Sequence, residues 1–132
     1  MPSRALTVCH PELVLRWKRV VDRFYKAQTS RKILVTCTYR PVEEQQALYA
    51  QGRTKPGPVV TQLDGVKHRS NHNMLPCRAL DFAVLVYGKV SWDVVEYMEV
   101  GALVLVGSGL VWGGNWPHFK DYPHVELPQE VA

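Results

Sequence analysis

Residues 70–87 read Ser70-Asn71-His72-Asn73-Met74-Leu75-Pro76-Cys77-Arg78-Ala79-Leu80-Asp81-Phe82-Ala83-Val84-Leu85-Val86-Tyr87. From Arg78 to Tyr87 the pattern is that of a strand. Side chains alternate across a strand, so Leu80, Phe82 and Val84 share one face and Ala79, Asp81 and Ala83 the other. Gly88 marks the turn that follows. Asp81 is the residue a plain core strand would not hold, because a buried, unpaired carboxylate is costly. Arg78 or Arg40 could pair with it, or it could mark a strand end. A metal ion is the third answer. His72 stands just upstream, and Asp121-Tyr122-Pro123-His124 supplies a second histidine with a carboxylate three residues before it. Two imidazoles and one carboxylate are a ligand set for catalytic zinc that leaves one position open for water. The extra carboxylate can serve as general base. Together these pieces suggest a small zinc hydrolase.

Working outward, Pro11 opens a helix to about residue 27, proline being tolerated in a first helical turn. Leu13, Trp17, Val20, Val21 and Phe24 recur at helical steps, and Arg16, Lys18, Arg19 and Arg23 take the solvated side. Ile33 to Tyr39 is β-branched and aromatic and reads as a strand. Pro41 opens a second helix through Ala50, with Gly52 as its stop. Residues 53–69 lack a period, and Lys55-Pro56-Gly57-Pro58 marks a turn; loops of this length are usually functional or mobile. Ser91 is a plausible N-cap for a helix from Trp92 onward, with Val94, Val95, Met98 and Leu103 as its apolar side. Gly109 to Gly114 breaks the pattern. His118-Phe119 and Pro123 to Leu127 look like short final strands.

The chain has 132 residues, enough for one domain with a core, and 46% hydrophobic and 21% charged residues, an ordinary globular balance. A net charge of +4 and a pI of about 9.1 suit an anionic partner: cell-wall polymer, membrane surface or nucleic acid. No block of consecutive Lys or Arg appears, which weakens the nucleic-acid reading. Cys9, Cys37 and Cys77 are odd in number and form no CxxC, so neither a disulfide framework nor a cysteine zinc knuckle is expected. Cys37 reads as a small core residue. Cys77 would need a base beside it to act as a nucleophile. The start, Met1-Pro2-Ser3-Arg4-Ala5, has no apolar core of signal-peptide length. No run approaches the roughly 20 apolar residues of a membrane span. The longest stretch, Val100 to Val111, is broken by Gly101, Gly107 and Gly109. The protein is therefore expected to be made in a cytoplasm and moved, if at all, by something else.

The pattern Ser-x-His-Asn-x-x-Pro-x-Arg-Ala-x-Asp, followed downstream by Asp-x-Pro-His, resembles the zinc peptidases that cut L-alanyl-D-glutamate or D-alanyl-D-alanine bonds in peptidoglycan, and most of all the compact bacteriophage endolysins of that group. Thr38-Tyr39-Arg40-Pro41-Val42-Glu43-Glu44-Gln45 resembles their arginine-bearing segment, and Leu48 to Thr54 their following helix end and loop. Gly109-Leu110-Val111-Trp112-Gly113-Gly114-Asn115-Trp116 is similar to their Gly-Leu-x-Trp-Gly-Gly-x-Trp stretch. Several ordered motifs from about Thr36 to Leu127 carry the likeness, more than any one pattern could. Relatives with a shorter motif have fewer residues between the first histidine and the aspartate, and Cys77 stands where serine is more usual.

The resemblance implies one zinc per chain on His72, Asp81 and His124. It implies Asp121 as general base, where many relatives use glutamate, and Arg40 as stabiliser of the oxyanion. It implies Ser70, Tyr39, Gln45 and Trp116 as substrate-binding residues. The plainer alternatives are a turn role for Asp121, a salt bridge from Arg40 to Glu43 or Glu44, and a local cap for Ser70. Trp112 and Trp116 either wall a groove or pack; His118 reads as a groove or surface residue and His68 as loop. The fold expected is α+β, a small antiparallel sheet carrying the zinc site and packed against about three helices. Residues 1–132 are expected to form a single catalytic zinc peptidase domain with no separate cell-wall-binding domain. The implied partner is the peptidoglycan stem peptide, for a monomer that binds no nucleic acid and does not insert stably in membranes. The implied chemistry is L-Ala-D-Glu hydrolysis in host lysis, by an enzyme made in the host cytoplasm and released to the wall by another factor. D-Ala-D-Ala carboxypeptidase activity, or a non-catalytic module that binds wall peptide, are the alternatives. A binding module would be expected to have lost Asp121 or Arg40, and both are present.

Overall fold

The computed structural model describes residues 3–132; Met1 and Pro2, the start of the segment read for a leader, lie outside them. Among the described residues are three helices, α1 (Pro11–Ala27), α2 (Val42–Ala50) and α3 (Val94–Leu105). Five strands accompany them: β1 (Arg31–Cys37), β2 (Ala79–Val86), β3 (Lys89–Val90), β4 (Val111–Trp112) and β5 (His124–Glu126). The fold is α+β. Every strand pairing is antiparallel, in the order β1-β2-β5-β4, with β3 folded back on β2. The β2–β3 hairpin turns through Tyr87 and Gly88, at φ 51° and 76°; two-residue hairpin turns of this kind need positive φ at both positions.

The alternation in β2 sorts the molecule into two sides. Leu80, Phe82 and Val84 enter a core shared with Leu13, Trp17, Val20 and Phe24 of α1 and Tyr97, Val100 and Val104 of α3. Trp17 and Tyr97 flank Phe82, with ring centroids at 5.3 and 5.7 Å. Each such fully buried apolar side chain contributes about 1.5–3 kcal/mol. Asp81 belongs to the other side, paired with Cys37 of β1 and His124 of β5.

Three local expectations are corrected. The helix expected from Trp92 starts at Val94 with Asp93 as its cap, whose Oδ1 accepts from Val95 N. Its buried side is Tyr97, Val100, Gly101 and Val104, while Val94, Val95 and Met98 face outward. The helix is apolar nearly all round, so the neighbour decides the face: a Cβ on Gly101 would come 2.5 Å from the Trp112 ring, so only glycine admits that contact. His118-Phe119 is a bend, not a strand; Pro117 lacks an N–H, and the segment is tied instead by Lys120 Nζ to the carbonyls of Gly114 and Trp116. Finally, not all the arginines of α1 are merely solvated. Arg16 donates to Gly109 O at 2.7 Å and Arg23 to Val106 O at 2.6 Å, pinning the end of α3 and the turn after it. Arg31 joins β1 to Glu96 and Glu99 of α3.

Candidate metal centre

The antiparallel register sets Asp81 directly across from His124. His72 comes from a single 3-10 turn, Asn71–Asn73, just before β2. That turn is closed by its own side chains: His72 N donates to Ser70 Oγ at 3.2 Å, and Ser70 N to Asn73 Oδ1 at 2.9 Å. It is locked to the segment before α2, where Arg40 N donates to His72 O at 2.8 Å and Asn73 Nδ2 to Arg40 O at 3.0 Å. Three separate stretches of chain thus meet at one place.

The outer nitrogen of each imidazole is occupied. His72 Nδ1 lies 2.7 Å from the carbonyl of Thr38, and His124 Nε2 lies 2.7 Å from Glu126 Oε1. A carbonyl and a carboxylate only accept, so these nitrogens carry hydrogen. In the neutral ring the other nitrogen then holds a free lone pair. Those two inner nitrogens, His72 Nε2 and His124 Nδ1, are 3.3 Å apart, and Asp81 Oδ1 lies 3.1 and 3.0 Å from them. A tetrahedral ion with ~2.0–2.1 Å bonds to such ligands spans donor separations of about 3.3 Å. Three electron-rich atoms this close repel one another unless protons or a cation lie among them. The set fits a small tetrahedral metal ion.

Without the ion, protons fill that role. Burial disfavours charge on all three groups, but their mutual hydrogen bonds win. His72 is pushed up to about 9 by Asp81 and Cys37, and His124 to about 10 by Asp81 and Glu126. Asp81 is held far below the usual carboxylate range by His124 and His72.

Asp121 Oδ2 stands 3.7 Å from His124 Nδ1, and burial raises its pKa above the ordinary value. Gly113 makes this approach possible: a Cβ there would lie 2.4 Å from Asp121 O and 3.1 Å from His124 Cβ. Arg40 Nη2 lies 3.5 Å from Asp81 Oδ2, and Nη1 donates to Gln45 Oε1 at 2.7 Å. Arg40, His72, Asp81, Asp121 and His124 line a cleft of about 460 Å³. Trp116, its ring centroid 5.0 Å from that of His124 and tilted to it, lines it too, with Phe119, Leu48 and residues 60–63 of the long loop.

Of the expected substrate contacts, Ser70 and Trp116 line the cleft. Gln45 and Tyr39 stand elsewhere. Gln45 is wholly buried, its Nε2 donating to Leu63 O at 2.7 Å and to Thr61 Oγ1 at 3.2 Å. It ties Arg40 to the loop wall and offers a substrate no surface. Tyr39 packs against the core. Trp112 is a packing residue, with Nε1–H on Tyr122 O at 2.7 Å. His68 and His118 are exposed. Cys37 is buried, as a core residue should be, yet its Sγ is 3.8 Å from His72 Nδ1 and lies within 4.8 Å of an Asp81 carboxylate oxygen.

Three contributors escaped the sequence reading: Glu126, Asn71 and Thr38. Asn71 Nδ2 donates to Glu126 Oε2 at 2.7 Å, so an amide orients the carboxylate that orients His124. Period two along β5 would have put Glu126 on the face of His124. Thr38 acts through its carbonyl, which no side-chain pattern reveals.

The chain is also similar to known proteins. A family model described as D-alanyl-D-alanine carboxypeptidase matches residues 64–127, the stretch holding all three donors and Asp121. The chain is 35% identical over 105 residues to the peptidoglycan L-alanyl-D-glutamate endopeptidase CwlK of Bacillus subtilis (strain 168). That match takes in 72% of this chain and 60% of CwlK, so the chain spans under two thirds of its relative's length. In fold it is similar to the crystal structure of the Serratia marcescens L-Ala D-Glu endopeptidase ChiX, with a TM-score of 0.68 and 24% identity. The similarity covers 97% of this chain and 89% of that one.

Proposed function

Because this chain belongs to the D,D-/L,D-peptidase family of the D-alanyl-D-alanine carboxypeptidase type, we propose that it is a zinc-dependent endopeptidase that hydrolyses the L-alanyl-D-glutamate bond of peptidoglycan stem peptides. The observation that carries this reading is the convergence of His72 Nε2, Asp81 Oδ1 and His124 Nδ1 beside Asp121, at the floor of an open cleft. The 35% identity to CwlK supports the choice of bond.

His72, Asp81 and His124 would hold the zinc, which when bound supplies Lewis acidity toward a carbonyl and lowers the pKa of water toward neutrality. Asp121 takes a proton from the attacking water and delivers it to the leaving amine, a task that a carboxylate with a raised pKa suits. Arg40, held by Gln45 at the cleft wall, faces the oxyanion that develops on the scissile carbonyl. Glu126 and Thr38 keep the imidazoles in the tautomer and orientation that the ligand role requires. Ser70 and Trp116 present a hydroxyl and an aromatic face to the peptide.

The setting we propose is host-cell lysis by a compact phage endolysin that works as a monomer. It would be made in the host cytoplasm and reach the wall once another factor opens the membrane. A net charge of +4 suits an anionic wall. No helix among the described residues is long and apolar enough to cross a membrane.

The family model's description favours one second reading, a D-Ala-D-Ala carboxypeptidase. Digestion of purified peptidoglycan, with and without chelator, separates them. A chelator-sensitive new D-glutamate amine is the expected result. Released D-alanine would replace the endopeptidase reading with the second, and no cleavage by zinc-loaded protein would overturn both.

A further inference from the structure

Cys9 and Cys77 are 68 positions apart, yet their sulfurs lie 3.1 Å from one another in the interior. The backbone holds them there. Cys77 N donates to Val8 O at 2.9 Å and His10 N donates to Cys77 O at 2.8 Å, which makes Cys9 and Cys77 an isolated parallel bridge pair. Paired residues on neighbouring extended segments sit about 4.8 Å apart. That is inside the ~4.4–6.8 Å Cα separation a disulfide spans, and side chains of a bridge pair leave the backbone on the same side.

We propose that Cys9 and Cys77 are a covalent modification site, joined by exchange with a small-molecule disulfide when the protein meets an oxidising compartment. The thiolate of Cys9 attacks one sulfur of the external disulfide, and a mixed disulfide forms as one small thiolate leaves. Cys77 then loses its proton and attacks the Cys9 sulfur, expelling the second small thiolate. Two protein thiols are oxidised to one disulfide, and the external disulfide is reduced to two thiols that take up the two protons. Cys9 follows a lone 3-10 turn, Leu6–Val8, whose residues are not fully buried. Local opening of such a segment is the route by which reagent gains access.

The bond would tie together both supports of His72. The segment from Ser3 to Cys9 braces Thr38, with Thr38 N on Ser3 O at 2.7 Å and Thr38 Oγ1 on Ala5 O at 2.9 Å. Thr38 in turn receives the outer N–H of His72. Cys77 ends the stretch that begins at Ser70 and carries His72 itself. The third cysteine, Cys37, keeps its thiol beside His72. A reducing cytoplasm keeps the pair as thiols and the far side of the membrane does not. The proposed function supplies that change of compartment, whereas the thiol chemistry is measured without any substrate.

The test uses the folded, zinc-loaded full chain incubated with oxidised glutathione, then alkylated and mapped by mass spectrometry. Free thiols should fall from three to one, Cys37, with the peptides of Cys9 and Cys77 joined. The melting temperature should rise by about 10 °C, as for closure of a long loop, and return with dithiothreitol. Cys9→Ser should show no such rise; should that variant fail to fold, the wild-type map alone decides. Three retained thiols, a lasting glutathione adduct on Cys9, or a link through Cys37 would each overturn the proposal. Failure of the same sample to cut peptidoglycan would count against the peptidase reading and leave the thiol result standing.

Discussion

Glu126 fixes His124 from behind: its Oε1 is 2.7 Å from the ring Nε2, two residues away on the same face of β5. Its other oxygen is held by Asn71. Carboxylates behind metal-binding imidazoles typically govern metal affinity by about 10–100-fold. Glu126→Gln should weaken zinc binding within that range, measured by competition with a chromophoric chelator. An affinity within twofold of wild type would show that Glu126 does not orient the ligand.

Asp121 is close enough to His124 to serve the same reaction without being one of the three converging donors. Asp121→Asn should therefore retain zinc and lose activity by about 10²–10⁴-fold in kcat, the usual share of a general base. Metal content and digestion of purified wall, measured on one preparation, check both halves. Undiminished digestion would remove Asp121 from the mechanism.

Acidity and stability are linked through the same cluster. The folded-state pKa values of His72 and His124, about 9 and about 10, lie above the ordinary 6.5. Their contribution to stability is fully present below about pH 6.5 and is lost as pH rises through 9 to 10. Asp81, shifted the other way, loses its contribution only in strong acid. Metal-free protein should thus melt at progressively lower temperature from pH 6.5 to 10, and zinc-saturated protein should not follow. A flat metal-free profile in a chelator-buffered melting series would contradict the ion cluster.

Gly113 is the contact through which the Asp121 segment reaches its place. Gly113→Ala drives a methyl group to 2.4 Å from the Asp121 carbonyl. Overpacking of this kind costs about 1–3 kcal/mol, read from urea unfolding, and should reduce activity as Asp121 shifts. An unchanged unfolding midpoint would mean that the backbone there yields freely.

How far all this could be read from residues alone differs from element to element. Helix α1 is legible because Pro11 marks its start and its apolar residues keep one period. Strand β2 is legible because a single carboxylate interrupts a clean alternation. The facing of α3 is not, since Val94, Val95 and Met98 are as apolar as the residues that turn inward, and Trp112 against Gly101 makes the choice. Strand β4 is two residues long and exists only because Val111 and Trp112 pair with Glu126 and Val125. The donors His72, Asp81 and His124 stand out by type and order. Their supports do not: Thr38 uses a backbone carbonyl, and Gln45 acts through an amide buried against the loop.

Strand β5 comes last in the chain but lies in the middle of the sheet, between β2 and β4. While the chain is being synthesised, β2 must wait for a neighbour made more than forty residues later. Until His124 emerges and docks, no fragment contains more than two of the three donors. A nascent polypeptide, or one truncated before His124, therefore cannot assemble the three-donor site, which comes into being only when the sheet closes.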